Sequence, residues 1–225
     1  MDIVYLCRGG ENEELKYSLR STVNMDYDLL HIFGDAPYWF RGKMTPTYQF
    51  ANKHTTTTYS LMAACMADHV SDPFIMFNDD FFVVQPTEFV QYDRGSFSDF
   101  TSYYIGKHPY SKYTRGAVET LAFMQALGFE NPVCYETHTP LLVHKAPMLE
   151  TLEMVIESGI TTPHKRSIYG NLIGLDSVDI GVDPKIYDDT QVMPDCEVIS
   201  SVDDAFFRIK PMLEDLFPTK SKYEM

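Results

Sequence analysis

The sequence predicts an α/β protein in which helices flank a central sheet, and three features carry that prediction. A strand, a helix and a second strand occupy roughly the first 33 residues, the pattern of a βαβ unit. Short apolar runs and amphipathic stretches alternate well beyond it. Apolar residues make up 44% and aromatics 14% of the 225-residue chain, enough to bury the core of one domain.

Taken in order, Asp2 to Cys7 (DIVYLC) is a buried strand, and Arg8-Gly9-Gly10 turns the chain. Glu11 to Ser21 is a helix whose acidic first turn suits the helix dipole. Leu29 to Phe33 is a second buried strand, closed by Gly34-Asp35-Ala36-Pro37. Units of this kind place ligands at the carboxyl ends of their strands. Trp39 to Lys53 reads as an irregular loop returning toward the sheet's edge. Thr55 to Thr58 cap a helix to about Val70, with Leu61, Met62, Cys65, Met66 and His69 on one face. Phe74 to Phe77 and Phe81 to Val84 are strands on either side of Asn78-Asp79-Asp80.

Asp93 to Arg115 is rich in Ser, Tyr and Gly with little periodicity, and reads as a long functional loop or lid. Ala117 to Leu127 is a helix stopped by Gly128, and Pro147 opens another that ends before Gly159. Ser167 to Gly174 is a short helix and Glu197 to Ser200 a late strand. A single domain is expected over residues 1–218, followed by a polar tail at 219–225.

The net charge of −14, from 18 Lys and Arg against 32 Asp and Glu, disfavours DNA or RNA partners, whose phosphates would be repelled over most of the surface. The same surplus of carboxylates suits a divalent cation. No apolar run approaches the ~20 residues of a membrane helix, and Met1-Asp2-Ile3-Val4-Tyr5 lacks the basic start of a signal peptide. A cytoplasmic protein without a membrane segment is expected. Cys7, Cys65, Cys134 and Cys196 are too widely spaced for a zinc site or a disulfide framework, and read as buried thiols.

Asn78-Asp79-Asp80 carries the chemistry. Two adjacent carboxylates where a buried strand emerges are costly unless a cation or a hydrogen-bond network satisfies them. Alternation along a strand would aim one at a cation and the other at a ligand or a basic residue. Mg²⁺ or Mn²⁺ held this way would complete its shell with phosphate oxygens and water. A solvated turn is the plainer alternative for such a tripeptide, but turn tips rarely lie between runs like FIMF and FFVV.

Asp2-Ile3-Val4-Tyr5, Glu14 to Ser21 (ELKYSLRS), Pro37-Tyr38-Trp39 and Phe77 to Phe82 (FNDDFF) resemble, in order and spacing, the Stealth family. That family comprises sugar-1-phosphate transferases and short stand-alone, often phage-encoded, glycosyltransferase-like proteins. The resemblance implies a GT-A-like domain with a central mixed sheet, a nucleotide-sugar donor (a UDP-sugar favoured) and a divalent metal on Asp79 and Asp80. Glu136-Thr137-His138-Thr139-Pro140 is similar to the family's His-x-Pro element, and Thr161 to Arg166 to its Thr-Ser-x-His-x-Arg segment. Pro163 and Lys165 depart from that segment, and Tyr169-Gly170-Asn171 stands where an acidic dipeptide is usual.

Other residues join the expected site. Arg8 and Gly9 follow the first strand, where backbone can approach a nucleotide, and Asn78 flanks the carboxylates. Asn52 and Lys53 precede a helix, a favourable place for pyrophosphate. Arg20 is expected at the donor from the resemblance, or else simply complements the end of its helix. His138 would serve as general base on an acceptor hydroxyl, and Arg166 would clamp phosphate bidentately. Glycosyl transfer is the expected reaction, with sugar-1-phosphate transfer its nearest rival. A metal-dependent phosphoesterase and a non-catalytic sugar-binding module are further rivals. The acceptor is open among a glycan, a modified DNA base and a small molecule.

Overall fold

A computed structural model describes residues 1–187 and 196–225. These form an α/β fold with a mixed central sheet flanked by helices, as expected. The described chain gathers into two compact units, residues 1–89, 138–143 and 184–225 in the first and residues 90–137 and 144–183 in the second.

Unit 1 begins with β1 (Asp2–Cys7), buried along its whole length. Then comes α1 (Glu13–Ser21), started by Asn12, whose side chain accepts the Leu15 N–H. β2 (Leu30–Gly34) lies parallel to β1, with Tyr5 opposite Ile32. Gly34 closes the strand at φ 135°, and a Cβ there would collide with the Cys7 carbonyl, so only glycine fits.

The segment expected to be irregular contains β3 (Lys43–Pro46), parallel to β2 at the sheet's edge. Its mostly exposed residues (KMTP) give no apolar signal, which is why it reads as loop. α2 (Lys53–Met66) is capped by Asn52 through the His54 N–H and packs on β1 and β2. β4 (Phe74–Phe77) pairs parallel with β1, and beyond it β5 (Phe81–Val83) leaves for a different sheet.

In unit 2, the segment expected to be a loop or lid is instead largely helical. β6 (Tyr92–Asp93) leads to α3 (Phe97–Lys107) and α4 (Lys112–Ala126), capped by Ser96 and Ser111. Phe97, Phe100, Ala117 and Met124 form this unit's core with Cys134, Val155 and Ile168. Burial against these partners, not a sequence period, makes an aromatic stretch helical.

β7 (Leu141–Val143), in unit 1, pairs antiparallel with β4 and makes the central sheet mixed, in the order β3-β2-β1-β4-β7. Unit 2 continues with α5 (Lys145–Ser158), α6 (Lys165–Ile173) and β8 (Val178–Asp179), which pairs with β6. β9 (Lys185–Ile186) and β10 (Val198–Ser201) complete a small sheet with β5 in unit 1. Against it α7 (Asp203–Leu216) buries Ala205, Phe206, Ile209 and Leu213.

The segment 219–225, expected as a polar tail, is hydrogen bonded along unit 1. The Arg41 N–H reaches the Tyr223 carbonyl at 2.7 Å, and the Met225 N–H reaches that of Trp39 at 2.9 Å. All four cysteines are free thiols, three of them buried.

Candidate functional site

Because β1, β2, β3 and β4 are parallel, their carboxyl ends share one edge of the sheet, where open α/β sheets bind ligands. Arg8-Gly9-Gly10 leaves β1 there, Asp35 leaves β2, Thr47 leaves β3 and Asn78-Asp79-Asp80 leaves β4. β7 runs the opposite way, with Leu141 across from Met76. The residues just before it, His138 among them, therefore arrive at the same edge.

The two acids have different partners. The Asn12 amide donates to Asp79 Oδ2 at 2.5 Å while its carbonyl oxygen caps α1. Asp80 Oδ2 receives Lys185 Nζ at 2.8 Å and Ser200 Oγ at 3.0 Å, so the basic partner expected for one of the pair is Lys185. Glu14, whose Oε1 accepts from Ser201 at 3.4 Å, and Asp203 bring two more negative groups.

Burial, then repulsion from Asp80, pushes the Asp79 carboxyl up to about 6, against the Asn12 hydrogen bond and the charge of Arg8. Burial, then Asp80, Asp79 and Asp203, pushes Glu14 up to about 7, and Lys185 opposes them. Burial first, and then the negative charge of neighbouring carboxylates, thus keeps Asp79 and Glu14 protonated closer to neutrality than ordinary carboxyls. Among the described residues no group of three or more His, Cys, Asp and Glu side chains is arranged to hold a metal. Protein ligands for one would be Asp79 and Asp80, a set that suits only an ion completed by phosphate and water.

The other expected residues divide between this edge and elsewhere. Arg8 is exposed yet near enough to favour the ionised form of Asp79. Gly9 lies against Asp35, whose carboxylate would clash with any Cβ at that position. Asn78 accepts the Phe81 N–H and so shapes the turn between β4 and β5. Asn52 and Lys53 stand at the start of α2, at the end of the segment that leaves β3. His138 is half-buried at a bend.

Arg20 lies at the far end of α1. Its Nε and Nη2 are bound to Glu224 at 2.8 and 2.7 Å and its Nη1 to the Phe217 carbonyl at 3.2 Å, so this guanidinium is occupied by the protein. Arg166 belongs to unit 2 and is buried, donating to the Thr137 carbonyl at 2.8 Å and its hydroxyl at 3.3 Å. Close by, Glu136 accepts the N–H and hydroxyl of Ser167 at 3.2 and 3.1 Å, and lies 3.7 Å from His164 Nδ1. Burial alone would raise Glu136, but His164, Arg166 and the Ser167 N–H hold it down at about 2.

Sequence reasoning did not find Asn12, Lys185, Ser200 or Asp203. Asn12 carried a usable signal, an Asn directly before an acidic helix start. Lys185 carried none, since it stands 105 residues from Asp80 and only the fold joins them. No protein-family model matches the chain, and no curated protein is significantly similar to it in sequence.

Proposed function

We propose that the chain is a metal-dependent glycosyltransferase of GT-A-like type. It would move a sugar from a nucleotide-sugar donor, a UDP-sugar favoured, to a hydroxyl acceptor. The observation that carries this reading is the half-buried acid pair at the carboxyl end of β4 in the central sheet, fixed by Asn12 and Lys185 within a surplus of negative charge. The resemblance of roughly the first 90 residues to Stealth proteins supports the same reading.

Asp79 and Asp80 would hold Mg²⁺ or Mn²⁺, which when bound neutralises a diphosphate leaving group. Lys185 and Asn12 keep the two carboxylates apart and oriented. Arg8 and the amide donors at the start of α2, with Lys53, are placed to bind phosphate oxygens. His138, at the same sheet edge, would take the proton from the acceptor hydroxyl. The acceptor oxygen then bonds to the anomeric carbon as its bond to phosphate breaks, and the nucleoside diphosphate leaves with the electron pair.

Calorimetry with a UDP-sugar, with and without EDTA, tests the metal requirement, and equal affinity in the two conditions would sink it. Chromatography of the spent donor tests the reaction. Nucleoside diphosphate is expected, whereas monophosphate with a phosphorylated product would mean sugar-1-phosphate transfer.

A further inference from the structure

Asp35, the first residue beyond β2, donates its N–H to the Cys7 carbonyl at 3.2 Å, and Thr47, the first beyond β3, donates its own to the Gly34 carbonyl at 3.1 Å. The carboxyl ends of β1, β2 and β3 are thus tied to one another, and the groups they carry stand in a fixed order along the edge. β4 carries the acid pair, β1 the turn Arg8-Gly9-Gly10, β2 a further acid and β3 an aromatic segment.

Asp35 is exposed, and its carboxylate reaches across to β1, into the space that a side chain at Gly9 would fill. A carboxylate in this place repels phosphate but accepts hydroxyl donors, and a vicinal diol offers one to each of its oxygens. An acid that follows the glycine turn of a parallel α/β sheet holds the ribose hydroxyl of dinucleotides in the same manner.

One strand further out, Tyr48 and Phe50 are 74% and 36% exposed. Their rings meet edge-on at 4.7 Å, and Tyr59 on α2 meets Phe50 at 5.0 Å. The buried Thr56 fixes Phe50 from both sides, its hydroxyl accepting the Phe50 N–H at 2.9 Å and donating to the Phe50 carbonyl at 3.2 Å. Exposed rings held this way offer a flat ligand a surface to stack on. α2 packs on β1 and β2, so Lys53 at its start belongs with the phosphates, whereas Tyr48 lies two residues beyond the outermost strand. Adjacent strands lie ~4.8 Å apart, which puts the end of β3 on the order of 14 Å from that of β4. An extended nucleoside diphosphate has a comparable span.

We propose that the nucleoside half of the donor lies across the ends of β2 and β3, its ribose diol on Asp35 and its base on Tyr48. This rests on the reading of the acid pair as a diphosphate site. The order of groups along the edge selects the occupant, because a nucleoside diphosphate joins a diphosphate to a diol and the diol to a flat ring in that same order.

Calorimetry on the intact protein at saturating Mn²⁺ tests the placement. Its probes are the tightest-binding of the four common ribonucleoside diphosphates, the 2′,3′-dideoxy analogue of that nucleotide, and inorganic pyrophosphate. The ribonucleotide should bind at least ~10-fold more tightly than the analogue, the effect expected of hydrogen bonds to a charged group. Asp35→Ala should bring the two to one affinity without weakening pyrophosphate. Tyr48→Ala should weaken both nucleotides by at least ~10-fold, as loss of a stacking partner does, and Tyr48→Phe should bind them as the native chain does. Equal affinity of ribonucleotide and analogue in the native chain, unchanged affinity in Tyr48→Ala, or binding of pyrophosphate alone would each overturn this inference and leave the diphosphate site standing. Failure of all three probes to bind would overturn both.

Discussion

Asp80 and Glu136 are both partly buried carboxylates, yet their partners set them to different tasks. Asp80 shares Oδ2 between Lys185 and Ser200, and an amide oxygen can accept the same two hydrogen bonds. Asp80→Asn should therefore keep its shape, lower the melting temperature by only a few degrees and cut turnover by at least ~100-fold, because the lost charge acts on the transition state. Full activity in a kinetic assay of Asp80→Asn would mean that the site is elsewhere. Glu136 is held near 2 by its cationic neighbours, below its ordinary value, so its stabilising effect is complete above pH ~4.5 and lost as pH falls toward 2. The shift corresponds to on the order of 3 kcal/mol. Urea unfolding of Glu136→Gln should show a loss of that order at pH 7 that shrinks steadily between pH 5 and pH 3. A deficit independent of pH would indicate lost packing instead.

At the scale of the element, α1 links folding to the site through a single residue. Asn12 sits at φ 42°, caps the helix through Leu15 and holds Asp79 through its amide. Left-handed backbone is tolerable for Asn, free for Gly and strained for Ala. Asn12→Ala should cost about 1–2 kcal/mol, the usual size of a lost cap, and Asn12→Gly distinctly less. Both should weaken donor binding alike, since each frees Asp79. Chemical denaturation alongside donor titration separates the two effects, and equal stability of the two variants would show that the cap conformation is not what Asn12 supplies.

For the whole molecule, of net charge −14, four carboxylates (Glu14, Asp79, Asp80 and Asp203) gather at one edge of unit 1. A cation that binds only the folded state stabilises it by about 2.7 kcal/mol at a hundred times its dissociation constant. Mn²⁺ should accordingly raise the melting temperature by roughly 5–10 °C, and NaCl of the same ionic strength should not. The Asp79→Asn/Asp80→Asn variant should melt at one temperature with or without Mn²⁺. A shift that persists in this variant would place the cation elsewhere. Among the described residues no helix is long and apolar enough to cross a membrane.

Local chemistry made much of this legible in the sequence. DIVYLC and FIMF are short, apolar and rich in β-formers, which favours buried strands over helices, and Asn78-Asp79-Asp80 directly follows the second of them. The acidic start of α1 and the stop at Gly159 follow from the needs of helix ends. β3 was not legible, because an exposed edge strand gains its backbone partners from β2 and shows no pattern of its own. α3 was not legible either, since its aromatics become a helix face only against Met124 and Ile168. The pairing of Asp80 with Lys185 and of Arg20 with Glu224 joins residues far apart in the chain. Which segments are buried and which acids stand at the strand end can be read along the chain; which cations meet those acids comes with the fold, because ion pairing depends on distance in space, which hydrophobic pattern does not encode.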